Sequence, residues 1–164
     1  MSELPTLLGS AIITVACLIF GRSYTDYIKA RAADYRSVLG FFELMRREIS
    51  ARLATPCELA ALSKDSRLAE IGFFDLLLQG ESLGAAFRAT SDKLFFDARD
   101  VELVLGYFDS FGGGDAESEL RALGTVTEEL SARVSAVRDD APTQIRLART
   151  LSVLFALGTI ILLL

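Results

Sequence analysis

Residues Phe111–Leu120 read FGGGDAESEL, three glycines in a row immediately ahead of a long helical pattern. Two readings compete. Glycine-rich loops that open onto a helix hold phosphate in many proteins, and the same composition makes a turn between two helices. A phosphate loop of the G-x-x-x-x-G-K-[ST] type needs a lysine after its last glycine, and none follows here. Asp115, Glu117 and Glu119 would crowd a phosphate with negative charge, whereas at a helix N-terminus they meet the positive end of the macrodipole. Gly112, Gly113 and Gly114 therefore supply the turn and Asp115 the cap. The stretch is a helical hairpin turn, and it binds no nucleotide.

Outward from this turn the pattern stays helical. Proline is scarce, no run alternates apolar and polar residues, and apolar residues recur at spacings of three and four. A first segment, about residues 24–53, carries Tyr35, Val38, Phe42, Met45 and Ile49 on one stripe, with nothing at Gly21 to separate it from what precedes. Thr55, Pro56 and Glu58 form a capping box that starts the next helix. Short helices follow: one through Leu59 and Leu62, and one through Leu68, Ile71, Phe74 and Leu78 stopped by Gly80. Another is capped by Ser82 and carries Leu83, Phe87 and Leu94; the next is capped by Asp97, with Val101, Val104, Leu105, Phe108 and Phe111 inward. A last long segment, about 116–137, faces Leu120, Leu123, Leu130 and Val134 to one side, and Pro142 ends or kinks it. The expected fold is all-α, an antiparallel helical bundle with long arms and short helices at the tip.

Charge is segregated along the 164 residues. Residues 4–20 and 150–164 carry none, and between them 17 basic and 21 acidic residues leave a net charge of −4. That mild acidity argues against nucleic acid as a partner. The N-terminal run LPTLLGSAIITVACLIF, 17 residues, makes a helix of roughly 25 Å, near the lower limit for crossing a bilayer. A cleaved signal peptide would want a basic start and an A-x-A site, yet the first charge is Glu3 and no such site follows. A lipoprotein signal would use Thr14–Cys17, where threonine is a poor residue three places before the modified cysteine. A retained membrane helix is the reading preferred. At the other end, Leu147 and Ala148 extend the apolar run past a snorkelling Arg149. As a buried core helix this segment, apolar on every face, would have to be wrapped completely, so a second membrane helix is the better reading.

The expected organisation is a membrane helix over 1–21, a helical domain over 22–146 and a membrane helix over 147–164. Arg22, Lys29, Arg31 and Arg36 follow the first run; Arg133, Arg138, Arg146 and Arg149 precede the second. The positive-inside rule then puts the domain in the cytoplasm and both termini outside it. Cys17 lies in the first run and Cys57 has no partner in the domain, which is compatible with a reducing compartment. Ser10, Thr14, Cys17 and Gly21 form a stripe of small residues in the first run, and Ser152, Ala156 and Thr159 one in the second. Such stripes let membrane helices approach closely, although composition bias produces them equally well.

Catalytic groups are few. There is no histidine, two cysteines 40 residues apart make no zinc site, and G-x-S-x-G is absent. The acid pairs Glu128-Glu129 and Asp139-Asp140 fit solvated helix faces. No catalytic residue, metal ligand or cofactor is expected. An enzyme or ligand sensor would need a polar pocket among the short helices, for which only Arg88, Lys93 and Arg99 are candidates.

Three places in the chain resemble the stage III sporulation protein AB family. Thr55-Pro56-Cys57 is similar to the family's T-P-(L) turn after its first long helix. Phe111–Glu119 is similar to its L-G-x-S-D-x-x-x-Q signature, with Gly113 and Asp115 matching, Gly114 in place of serine and Glu119 in place of glutamine. Arg149-Thr150-Leu151 through Gly158 to Leu164 is close to its C-terminal pattern. Gly80-Glu81-Ser82-Leu83 leading to Phe87 is a further echo, where the family often has tryptophan. In its helical domain the family resembles inner-membrane platform protein F of type II secretion and type IV pilus machines. The resemblance implies a non-enzymatic platform or adaptor in the mother-cell membrane facing the forespore. It would be part of a multi-protein, secretion-like channel, with the cytoplasmic domain docking that complex's ATPase and the spans packed on other subunits. Self-association is compatible with this. The alternative is a two-span scaffold of a secretion or pilus machine outside sporulation.

Overall fold

The computed structural model describes residues 3–52, 55–63 and 66–163; side chains at 3–8, 10, 11, 13, 14, 52, 66, 156, 159, 160, 162 and 163 lie outside the description. It is all-α. The helices are α1 (Glu3–Arg52), α2 (Pro56–Leu62), α3 (Ser66–Glu70), α4 (Phe73–Leu78), α5 (Leu83–Thr90), α6 (Ala98–Ser110) and α7 (Ala116–Leu163), with a 3₁₀ turn at Ser91–Lys93. No strand occurs among the described residues. The chain divides into two compact units, Met1–Ala30 with Val137–Leu164, and Arg31–Ala136.

The unit Arg31–Ala136 is built around aromatic rings. Tyr35, Val38, Phe42, Met45 and Ile49 of α1 are all buried, and Phe41 joins them. Phe108 of α6 is the hub: it stacks on Phe42 at 5.2 Å between ring centres and meets Phe87 of α5 edge-on at 5.4 Å. Phe41 and Phe73 of α4 lie at 6.2 Å from it. Full burial of each such side chain is worth about 1.5–3 kcal/mol, and edge-on or offset ring pairs add to that. From α7, Leu123 and Leu130 are fully buried.

Local chemistry sets the helix ends. Thr55 accepts from the Glu58 backbone N–H while the Glu58 carboxylate accepts from the Thr55 N–H at 2.8 Å, with Pro56 in the first turn of α2. Ser82 Oγ accepts from Ala85 N at 3.2 Å and starts α5. Four readings from the sequence are corrected. The helix expected through Leu68–Leu78 is two, α3 and α4, because Gly72 between them takes φ +86°, a left-handed conformation that breaks the ladder at little cost only for glycine. Leu78 is consequently exposed. Asp97 occupies the N-cap position of α6, but its carboxylate does not cap; it pairs with Arg31 at 2.6 Å. Leu94, expected on the helix capped by Ser82, lies beyond it, since α5 ends at Thr90 and Leu94 is extended after the 3₁₀ turn. Of the two outcomes expected at Pro142, the helix does not end there, since α7 runs through it. Proline removes the bond to the Arg138 carbonyl and its ring crowds that carbonyl; both residues are exposed, so water can take the place of the lost donor.

The other unit consists of the ends of α1 and α7. α1 is one helix from Glu3 through Arg52, unbroken at Gly21. A Cβ added at Gly21 would come 2.5 Å from Ser152 Oγ and 3.2 Å from its Cβ, so a larger residue there would turn the serine aside and push α1 and α7 apart. Ile28 is buried, but apolar side chains of the two charge-free runs point outward: Ile12, Phe20, Phe155 and Ile161 are 62, 73, 67 and 74 % exposed. Among the described residues, no helix is long and apolar enough to cross a membrane.

Candidate functional site

Two carboxylates sit in the apolar interior of the unit Arg31–Ala136. Asp34 of α1 is completely buried. Its Oδ1 accepts from Arg67 Nε at 2.6 Å and its Oδ2 from the Phe95 backbone N–H at 2.8 Å. Arg67 reaches on to the Lys93 carbonyl at 3.2 Å, and Lys93 Nζ donates to the Ile71 carbonyl at 2.9 Å. One residue along α1, the Tyr35 hydroxyl donates to Asp100 Oδ2 and accepts from Asp97 N at 3.4 Å. Asp100 Oδ1 lies 3.4 Å from Arg133 Nε of α7. Phe96 stacks on the Tyr35 ring at 4.2 Å, and the Arg31 guanidinium lies 5.7 Å from its centre.

The reason for this network is the segment 94–97. It connects the 3₁₀ turn to α6, and after Leu94, whose N–H closes on the Ser91 carbonyl, its N–H groups need acceptors from elsewhere. Asp34 provides one to Phe95 and Tyr35 one to Asp97. Burial, then the bond to Asp100, raises the Tyr35 pKa; the hydrogen bond that Arg67 donates to Asp34 raises that of Arg67. Such carboxylates are committed acceptors, and the arrangement fastens helices together.

Neither acid figured among the residues singled out from the sequence, although a signal exists. Asp34 stands four residues before Val38 and seven before Phe41, and Asp100 four before Val104 and eight before Phe108. A charge in phase with an apolar stripe marks a buried, paired group. Of the basic candidates, Arg88 pairs with Asp109 at 2.7 Å on the surface and Lys93 serves Ile71, so they hold separate partners. Arg99 is exposed. No group of residues able to hold a metal ion occurs among the described residues.

At the glycine turn, Glu119 Oε1 accepts from Gly112 N at 2.9 Å and from Gly114 N at 3.3 Å. The backbone donors that would cradle a phosphate are thus filled by the chain's own carboxylate. Asp115 Oδ1 accepts from Ser118 N at 3.2 Å; hydrogen bonding by Ser118, from its side chain first and then from its backbone, holds the Asp115 pKa below its usual range. The demand for glycine falls on Gly112, with φ +88°; Gly113 and Gly114 have ordinary φ.

Beside this turn, the Tyr107 hydroxyl is buried without a hydrogen-bond partner among the described residues. Burial, then the charge of Glu119, pushes its pKa up. Tyr107→Phe removes an unsatisfied group and is expected to raise stability by about 1 kcal/mol. Tyr35 and Tyr107 both titrate above the ordinary value of 10.0. Raised folded pKa values mean that their contribution is intact below about pH 10 and lost as pH rises through the folded values. Urea unfolding between pH 8 and 11 should show a plateau and then a fall, with the fall shallower in Tyr107→Phe.

In the terminal unit, Cys17, Gly21 and Ser152 line one groove. Ser10, Thr14, Ala156 and Thr159 have side chains outside the described residues.

These features define an all-α helical-bundle protein whose interior charges are spent on its own architecture. The chain belongs to the family described as Stage III sporulation protein AB, whose sequence profile it matches over residues 6–164, and its role lies in sporulation. No curated protein and no solved structure matches it.

Proposed function

We infer that the protein is a non-enzymatic membrane platform or adaptor of the channel between mother cell and forespore, a secretion-like complex. Helices over 1–21 and 147–164 lie in the mother-cell membrane, and the domain over 22–146 faces the cytoplasm and docks the complex's ATPase. The observation that carries this is the outward-facing apolar side chains of both terminal segments, among them Phe20 and Phe155. Apolar surface of that extent is stable only against lipid or another apolar partner. The close approach of Gly21 to Ser152 supports packing of the two spans on each other. Membership of the sporulation family favours this complex over a secretion or pilus machine elsewhere.

Alkaline extraction and thiol labelling of sporulating cells test the placement. Cys57 is exposed on α2. The chain should stay in the alkali-washed membrane pellet, and a membrane-impermeant maleimide should label Cys57 only after permeabilisation. Release by alkali, or labelling of Cys57 in intact cells, would contradict it.

A further inference from the structure

A second groove in the terminal unit, about 530 Å³, is lined by Leu18, Gly21, Arg22, Thr25, Asp26 and Lys29 of α1 and by Arg149, Ser152 and Val153 of α7. Its size is that of a small-ligand site. Its lining is graded. Leu18 and Val153 belong to the apolar sequence at each end, while Arg22, Lys29 and Arg149 stand just beyond the first charge-free run or just before the second. The three cations are exposed, and none makes an ion pair with a described residue. Asp26 is the one acid in the lining, so the groove carries a net charge of two positives. The two hydroxyls are already spent as donors, Thr25 to the Gly21 carbonyl and Ser152 to the Ala148 carbonyl, each at 2.8 Å.

We propose that this groove binds the phosphate of an anionic phospholipid headgroup, held between Arg22, Lys29 and Arg149 with its acyl chains running along Leu18 and Val153. Charge complementarity selects the ligand: cations from two different helices converge at the level where polar sequence gives way to apolar. Basic pockets between membrane helices hold anionic headgroups in this way. The inference rests on the membrane placement proposed above and adds a specific lipid contact to it. A bound headgroup would bridge α1 and α7 next to the Gly21–Ser152 contact.

The test uses the full chain in detergent micelles, with native mass spectrometry of adducts formed by added phosphatidylglycerol, phosphatidylcholine or inorganic phosphate. Phosphatidylglycerol should bind in preference to phosphatidylcholine. Arg22→Gln, Lys29→Gln and Arg149→Gln should each weaken it by about fivefold. Arg146→Gln, a neighbouring basic position outside the groove, should leave it unchanged, and circular dichroism should confirm that all variants keep their helices. Equal binding of the two lipids, or equal loss in Arg146→Gln and Arg149→Gln, would overturn the proposal. So would displacement of phosphatidylglycerol by equimolar inorganic phosphate, which would make free phosphate the ligand. A chain that needs no detergent would refute the membrane placement itself; a detergent-requiring chain without lipid preference would refute the groove alone.

Discussion

Arg67→Ala should lower the unfolding free energy by about 3–5 kcal/mol, more than the removal of its partner Asp34. The asymmetry follows from burial. Asp34 has no exposed side-chain surface, while the Arg67 side chain is 30 % exposed. Removing the arginine leaves a carboxylate in the core with only the Phe95 N–H against it. Removing the acid instead leaves a guanidinium that water already reaches, and its cost is one ion pair and one orphaned N–H. The double variant Asp34→Leu/Arg67→Met should recover most of the loss of Arg67→Ala, since a buried pair replaced by apolar groups is often neutral. Urea unfolding of the full chain in mild detergent, followed by the near-ultraviolet circular dichroism of its tyrosines, measures all of these. Equal costs for the two single variants would mean that the pair is solvated.

Phe108→Ala should cost a similar amount, about 3–5 kcal/mol. The ring sits where α1, α4, α5 and α6 converge, against Phe42, Phe41, Phe73 and Phe87. Those neighbours are themselves locked rings on separate helices, so the cavity cannot close by a single rotamer change, which places the loss high in the range. Leu78→Ala, at a residue 54 % exposed, should change stability by less than about 0.5 kcal/mol. A Phe108→Ala loss no larger than that of Leu78→Ala would show that the rings are not a cooperative core.

The periodic parts of this fold were readable from the sequence because they depend on short-range geometry. Tyr35, Val38, Phe42, Met45 and Ile49 repeat at helical spacing and are buried together; the Thr55–Glu58 box closes within one turn. What escaped reading depends on partners distant in the chain. Asp97 stands where a cap is expected, yet Arg31, 66 residues away, takes its carboxylate. Asp34 looks like any surface acid until Arg67 and Phe95 are placed beside it. Gly72 gives no sign that it will take a left-handed conformation, because a lone glycine within an apolar run is tolerated in helices. The glycine turn required both levels: its acids argue against a phosphate loop from sequence alone, and the structure adds that Glu119 occupies the donors a phosphate would use.

As inferred above, the helical domain is anchored by its ends and offers the channel's ATPase a docking surface. Ser118, exposed beside the glycine turn, offers a position for a cysteine that leaves the core intact. Cross-linking from Ser118→Cys and from the native Cys57 in sporulating cells, with the adducts identified by mass spectrometry, tests this directly. The predicted result is an adduct between this chain and the secretion-type ATPase of the complex. A membrane-retained, folded chain that forms adducts from neither position with that ATPase would contradict it.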